Sequence, residues 1–174
     1  MLGGGAVIFA SVGSMLPFDR FVRAVDDWAE ANPGQEVFIQ IGEGAFEPRH
    51  APWVRIMPHE EYRRRLEACD LFVAHVGMGS ILQGLEVRKQ MLLMPRLASQ
   101  LEHTTDHQLH TADRFRGTAG LLIVEDAPAL QAAMTRLLDQ PLAPSDGISP
   151  YAQPGLIARV AEFLGGRSQT TANG

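Results

Sequence analysis

The strongest constraint on this chain is a repeated alternation. Short apolar runs, each ending in a glycine or polar turn, are separated by segments with helical periodicity. Ala6 to Val12 is closed by Gly13-Ser14, Val37 to Ile41 by Gly42-Glu43-Gly44, and Leu71 to His75 by Val76-Gly77. Met91 to Pro95 and Leu121 to Val124 are further runs, with a short one at Trp53 to Ile56. Between the first two, Phe18, Phe21, Val22, Val25, Trp28 and Ala29 recur at i, i+3, i+4, i+7. That is one apolar helix face, opened by Pro17 and Asp19 and ended by Asn32-Pro33-Gly34. His59 to Ala68, the segment from Ile81 through Leu85, and Thr105 to Arg116 with Gly117 as its C-cap read as helices too. So does the segment after Asp126, which carries Leu130, Ala133, Met134, Leu137 and Leu138 on one face. Such alternation requires right-handed crossovers. The expected fold is α/β, a Rossmann-like parallel sheet of about six strands with helices on both faces.

In sheets of this kind ligands bind beyond the carboxyl ends of the strands. Gly13-Ser14, Gly42 to Gly44, His75 to Ser80 and Pro95 to Gln108 all follow strands, so they converge on one rim. The most informative of them is His75-Val76-Gly77-Met78-Gly79-Ser80, a strand, a tight glycine turn and a helix start. Glycines let a ligand approach the backbone, and the free N–H groups of a helix start attract anions. Ser80 is placed to cap that helix or to hydrogen-bond a phosphate.

At 174 residues the chain has room for one well-cored domain, assigned to residues 1–165. A net charge of -5 gives no electrostatic footprint for nucleic acid. The single cysteine, Cys69, excludes an internal disulfide and a cysteine-based zinc site, and it falls on the packed stripe Tyr62, Leu66, Cys69. No run of about 18 apolar residues is present, so no transmembrane segment is expected. Ala6 to Phe18 lacks the basic flank of a signal peptide, which makes the expected location cytoplasmic. Arg63-Arg64-Arg65 reads as a solvated face. Gln140 to Gly155 reads as a connector, Leu156 to Leu164 as a last helix, and residues 166–174 as a polar, disordered tail.

Val12-Gly13-Ser14 with Pro17-Phe18-Asp19-Arg20, then His75 to Ile81, Pro95-Arg96, Glu102-His103 and Asp106-His107-Gln108, form an ordered set from near the start to about residue 125. Together they resemble the C-terminal, donor-binding half of family-28 glycosyltransferases. The likeness is greatest to the small one-domain subunits of two-subunit enzymes that act on dolichol diphosphate or build exopolysaccharide on a lipid carrier. The resemblance implies half of a GT-B fold that binds a UDP-sugar with no obligatory cofactor or metal. It places Gly77, Gly79 and Ser80 at the diphosphate, faced by Gly13 and Ser14, has Asp106 and Gln108 hydrogen-bond the donor sugar's hydroxyls, and counts Met78 and Glu102 among the donor-binding residues. Gln83 stands where many relatives carry a glutamate for the ribose, and Arg88 and Gln90 stand where they carry Gly and Pro. The implied reaction is an inverting hexosyl transfer to a lipid-diphosphate-linked saccharide. Its general base would be His75, His103 or a residue of a partner. That partner would be a membrane-anchored, acceptor-binding subunit, with this chain peripheral at the inner face of the plasma membrane and its terminal helix as the docking element.

Three other readings compete. His103, His107 and His110 at i, i+4, i+7, with Glu102 and Asp106 beside them, raise a metal-dependent hydrolase or metal sensor, although no full HExxH motif exists. Gln83 makes a non-catalytic accessory subunit credible. A UDP-sugar epimerase shares the half-fold but needs both halves in one chain.

Overall fold

The computed structural model describes residues 5–145 and 147. Six strands, β1 (Val7–Ser11), β2 (Glu36–Gln40), β3 (Trp53–Val54), β4 (Leu71–His75), β5 (Met91–Met94) and β6 (Leu121–Ile123), form one sheet in the order β3-β2-β1-β4-β5-β6. Every pairing is parallel; Ala10, for example, stands between Ile39 and Val73. Among the described residues four α-helices connect the strands, α1 (Asp19–Ala31), α2 (His59–Ala68), α3 (Met78–Glu86) and α4 (His107–Phe115), and α5 (Ala127–Asp139) follows β6. The Rossmann-like parallel sheet expected from the alternation is the fold observed.

The strands read as unbroken apolar runs because both faces of the sheet are covered. Their side chains alternate between two cores, as a period of two dictates. Ile8, Ala10, Leu71, Val73, Leu92 and Met94 pack with the buried faces of α1 and α5. Phe9, Phe72, Ala74, Met91 and Leu93 pack with Leu66, Ile81, Leu85 and Ala112 from α2, α3 and α4. Trp28 Nε1 donates to Thr135 Oγ1 at 2.9 Å, and Gln131 Nε2 donates to the Ala24 carbonyl at 2.9 Å, tying α1 to α5. Asp126 caps α5 as its sequence context suggests, accepting from Ala129 N at 2.8 Å.

Some boundaries differ from the sequence reading. The third strand is only two residues long. Helix α4 begins at His107 rather than Thr105, because the preceding loop is held in a non-helical path: Glu102 accepts from Leu97 N and Asp106 from Ala98 N, each at 3.0 Å. The arginine run is only partly a free face. Arg64 is exposed, but Arg65 lies 3.4 Å over the Phe38 ring and pairs with Glu61, and Arg63 pairs with Glu67 and Glu86. Cys69 is buried, and burial pushes its thiol up to about 11, which suits packing and not nucleophilic chemistry. The last helix and the tail lie outside the described residues, as does most of the Gln140–Gly155 connector.

Candidate functional site: the cleft where the strand order reverses

After β1 the chain moves outward to β2 and β3; after β4 it moves the other way. The two crossovers leave in opposite directions, so a crevice opens between the carboxyl ends of β1 and β4. A cleft of about 460 Å³ occupies that position. Its walls are Gly13, Ser14 and Met15 after β1, Ile56, Met57, His59 and Tyr62 beyond β3, and His75, Gly77, Met78, Gly79, Ser80 and Gln83 around the turn from β4 into α3. Eight of the residues singled out in the sequence (Gly13, Ser14, His75, Gly77, Met78, Gly79, Ser80 and Gln83) therefore line one cavity.

Helix α3 starts at Met78 after Gly77, with no side chain capping it. Ser80 is not the cap: it is the third helical residue, and its hydroxyl is 3.2 Å from His75 Nε2. The first-turn N–H groups thus remain available at the cleft wall, where the helix dipole favours negative charge. The glycines of the turn differ in what they do. A Cβ on Gly77 would overlap the His75 ring, and one on Gly13 (φ 75°) would sit 2.7 Å from His75 Nε2. These two glycines make room for the imidazole. A Cβ on Gly79 would meet nothing within 4 Å. Gly79 opens the cleft itself.

His75 is the hub beneath the cleft. Its Nδ1 faces Arg96 Nη1 at 3.0 Å and Gln108 Nε2 at 3.1 Å. Burial, with Arg96 and then His103 adding to it, holds the imidazole down at about 3, so the ring is neutral at physiological pH. With Nδ1 occupied by donors and Nε2 against Ser80, no lone pair is left to take a substrate proton.

Arg96, which the sequence offered only as part of a motif, is the main organiser of the floor. It is 2 % exposed, and its guanidinium donates to the carbonyls of Val12, Leu16 and Pro17 as well as facing His75. Burial lowers it to about 10, opposed by the nearby Glu102, so it stays charged at neutral pH. Gln40 was also missed. It sits at the end of an apolar strand, accepts from Ser11 Oγ at 2.7 Å, and donates to the Gly13 and Arg55 carbonyls. An amide in an otherwise apolar buried run was the available signal. Tyr62, on α2, places its phenol near the hydroxyls of Ser11 and Ser80; burial raises its pKa, partly offset by those hydroxyls.

The remaining expected site residues do not line the cleft. Gln108 is buried and accepts from Arg96 N at 3.0 Å. Glu102 is committed to Arg20 and Leu97 N, and Asp106 to Ala98 N. His103 is half-buried in the same loop, its Nδ1 accepting from Thr105 N at 3.2 Å. His103 precedes α4, so it does not share a helix face with His107 and His110. Among the described residues no group of three or more His, Cys, Asp or Glu is arranged to hold a metal ion. The premise of a three-histidine helical site is therefore corrected. No helix among the described residues is long and apolar enough to cross a membrane.

A six-stranded parallel sheet in this order, with its crevice at the β1/β4 reversal, is the Rossmann-like architecture of the C-terminal half of GT-B proteins. The chain belongs to the glycosyltransferase family 28 C-terminal domain family, whose profile matches residues 7–149. Among solved structures it resembles the glycotransferase of kitacinnamycin (22% identity, TM-score 0.61), covering 92% of this chain and 38% of that one. ALG13, solved by NMR, is similar over 90% of this chain and 94% of its own, at 16% identity and TM-score 0.56. The UDP-GlcNAc 2-epimerase from Neisseria meningitidis, solved bound to UDP-GlcNAc, matches 92% of this chain and 44% of its own, at 11% identity and TM-score 0.61. At these identities the likeness is one of fold. The chain spans less than half of the kitacinnamycin protein and of the epimerase. No curated protein matches the sequence.

Proposed function

We propose that the β1/β4 cleft binds the nucleoside diphosphate of a UDP-sugar, and that this chain is the donor-binding unit of an inverting glycosyltransferase. The observation that carries the reading is the uncapped start of α3 lining the cleft, opposite Gly13 and Ser14. The diphosphate would lie against Met78, Gly79 and Ser80, where N–H groups and a hydroxyl stabilise the charge that grows on the leaving group. Gln83, half-buried on the same wall, would meet the ribose. No obligatory metal enters this scheme.

The proposed acceptor is a lipid-diphosphate-linked saccharide held by a membrane-anchored partner subunit, in keeping with the resemblance to one-domain subunits and with the extent of the likeness to ALG13. On this reading the chain works at the cytoplasmic face of the membrane in polysaccharide synthesis. The base is then His103 or a residue of the partner, since His75 has no free lone pair. Gln108 and Asp106 reach the sugar only if the loop around them gives up its present bonds.

Calorimetric titration with UDP, UDP-sugars and uridine tests the reading. Binding of UDP with at least tenfold preference over uridine is expected, since charge-assisted phosphate contacts supply most of the affinity. A chain that binds no uridine nucleotide would refute it and favour an accessory role.

A further inference from the structure

The hydrogen bonds around His75 have a fixed direction, and that direction reaches the cleft. A backbone N–H can only donate, so the Gln108 oxygen must face Arg96 N, 3.0 Å away. The amide nitrogen of Gln108 is thereby turned toward His75 Nδ1 at 3.1 Å. Arg96 Nη1, also only a donor, faces the same Nδ1 at 3.0 Å. Two independent donors therefore make Nδ1 the acceptor, and the ring proton must be on Nε2. Nε2 lies 3.2 Å from Ser80 Oγ, so Ser80 accepts from the histidine. Its own proton is left to point away from His75. Tyr62, whose phenol is near the Ser80 hydroxyl, lines the same cleft. Gly13 and Gly77 leave the space that the ring occupies, because neither can gain a Cβ without meeting it. Arg96 and, farther off, His103 are the charged or titratable groups facing the imidazole, with Tyr62 beyond Ser80.

We propose that Gln108 and Arg96 are positioning residues that act through His75 to lock Ser80 as a hydrogen-bond donor toward the cleft. A donor hydroxyl favours an anionic group such as phosphate and disfavours a cation. The identity of that anion as a diphosphate rests on the function proposed above. The polarity itself rests only on the four-residue chain. It also gives Gln108 work that needs no contact with a sugar.

The test has two arms. Nitrogen-15 imidazole NMR of the ligand-free full chain reads the tautomer directly. His75 is expected as the neutral Nε2–H form; a proton on Nδ1 would overturn the proposal whether or not UDP binds. The second arm compares Ser80→Ala, Gln108→Glu and the double variant by titration with UDP and with uridine. In Gln108→Glu the new carboxylate faces Nδ1 and draws the Arg96 Nη1 donor onto itself, so the ring proton is expected on Nδ1, which reverses Ser80. Each single change is expected to weaken UDP about tenfold and uridine less than twofold, as loss of one charge-assisted bond would. The double variant should be within about threefold of either single one, since both remove the same donor. Full additivity would mean that the new carboxylate merely repels the anion and would overturn the relay, as would equal losses for UDP and uridine. If no form binds UDP but the Nε2–H tautomer is found, the relay stands and the nucleotide reading falls.

Discussion

Arg20 and Glu102, 82 positions apart, meet in a two-pronged ion pair: Nε to Oε1 and Nη2 to Oε2, both at 2.8 Å. Arg20 also donates to the carbonyls of Pro95 and Glu125, and Glu102 accepts from Leu97 N. The pair thus fastens α1 to the loop that leads from β5 toward Gln108. Removing one partner leaves the other charged and largely enclosed. Glu102→Gln is expected to cost about 2–3 kcal/mol in denaturant unfolding, somewhat below the value for a fully buried pair. Arg20→Lys should recover little, because a single ammonium cannot span both oxygens. A loss under about 0.5 kcal/mol, the size of an exposed pair, would show that the fastening is not energetically important.

Gly77 and Gly79 should separate folding from binding. Gly77→Ala forces its methyl into the His75 ring and is expected to destabilise the fold by about 1–3 kcal/mol. Gly79→Ala faces open space within a helix, so stability should hold or rise by up to about 1 kcal/mol. Its methyl would nevertheless stand where a phosphate must approach, and UDP affinity should fall at least tenfold. Unchanged UDP affinity in Gly79→Ala would place the ligand elsewhere.

Acid should loosen the protein through His75. The imidazole is held at about 3 in the fold against an ordinary 6.5, so between those values the unfolded chain binds a proton that the folded chain refuses. Stability therefore rises with pH through that window, is fully present above 6.5, and is lost as pH falls. Between pH 6.5 and 5 the effect is up to about 2 kcal/mol, at about 1.4 kcal/mol per pH unit. His75→Gln should flatten this part of the pH–stability curve. An unchanged slope in the variant would assign the acid sensitivity to other groups.

Asp26 is 1 % exposed and accepts from the backbone N–H groups of Arg49, His50 and Ala51 at 2.9, 2.9 and 3.0 Å. Nothing in its sequence context marks it out from the solvated acids of α1. Asp26→Ala is expected to cost about 3 kcal/mol, because three backbone donors, that of Ala51 buried, lose a charged acceptor together. Hydrogen exchange at residues 49–51 should speed up in the same variant. Protection equal to wild type would remove the assignment.

Arg88 follows α3 with φ 55°, a left-handed conformation that a glycine would adopt without strain. Arg88→Gly is expected to raise stability by up to about 1 kcal/mol, read as the shift of the urea midpoint. A decrease would mean that the arginine side chain contributes more than its backbone costs.

Sequence alone determined the class of fold and the address of the cleft. Strand and helix periods differ, so runs such as Phe72 to Ala74 and the Phe18–Ala29 stripe could be told apart locally, and parallel topology follows from their alternation. Glycine turns after strands then mark the rim, which is why Gly13, Gly77 and Ser80 were found together. Tertiary structure decided the roles. Glu102, Asp106 and Gln108 look like ligand-binding groups in a motif, but each is held by an N–H of the loop after β5, and Glu102 and Gln108 also by the side chains of Arg20 and His75 from distant parts of the chain. Arg96 and Gln40 give only faint signals in the sequence and Asp26 none, yet all three are buried and carry polar networks. The physical reason is that periodicity is a property of neighbouring residues. Hydrogen-bond direction and burial are set only when segments far apart in the chain, such as β1, β4 and the loop after β5, are brought into contact.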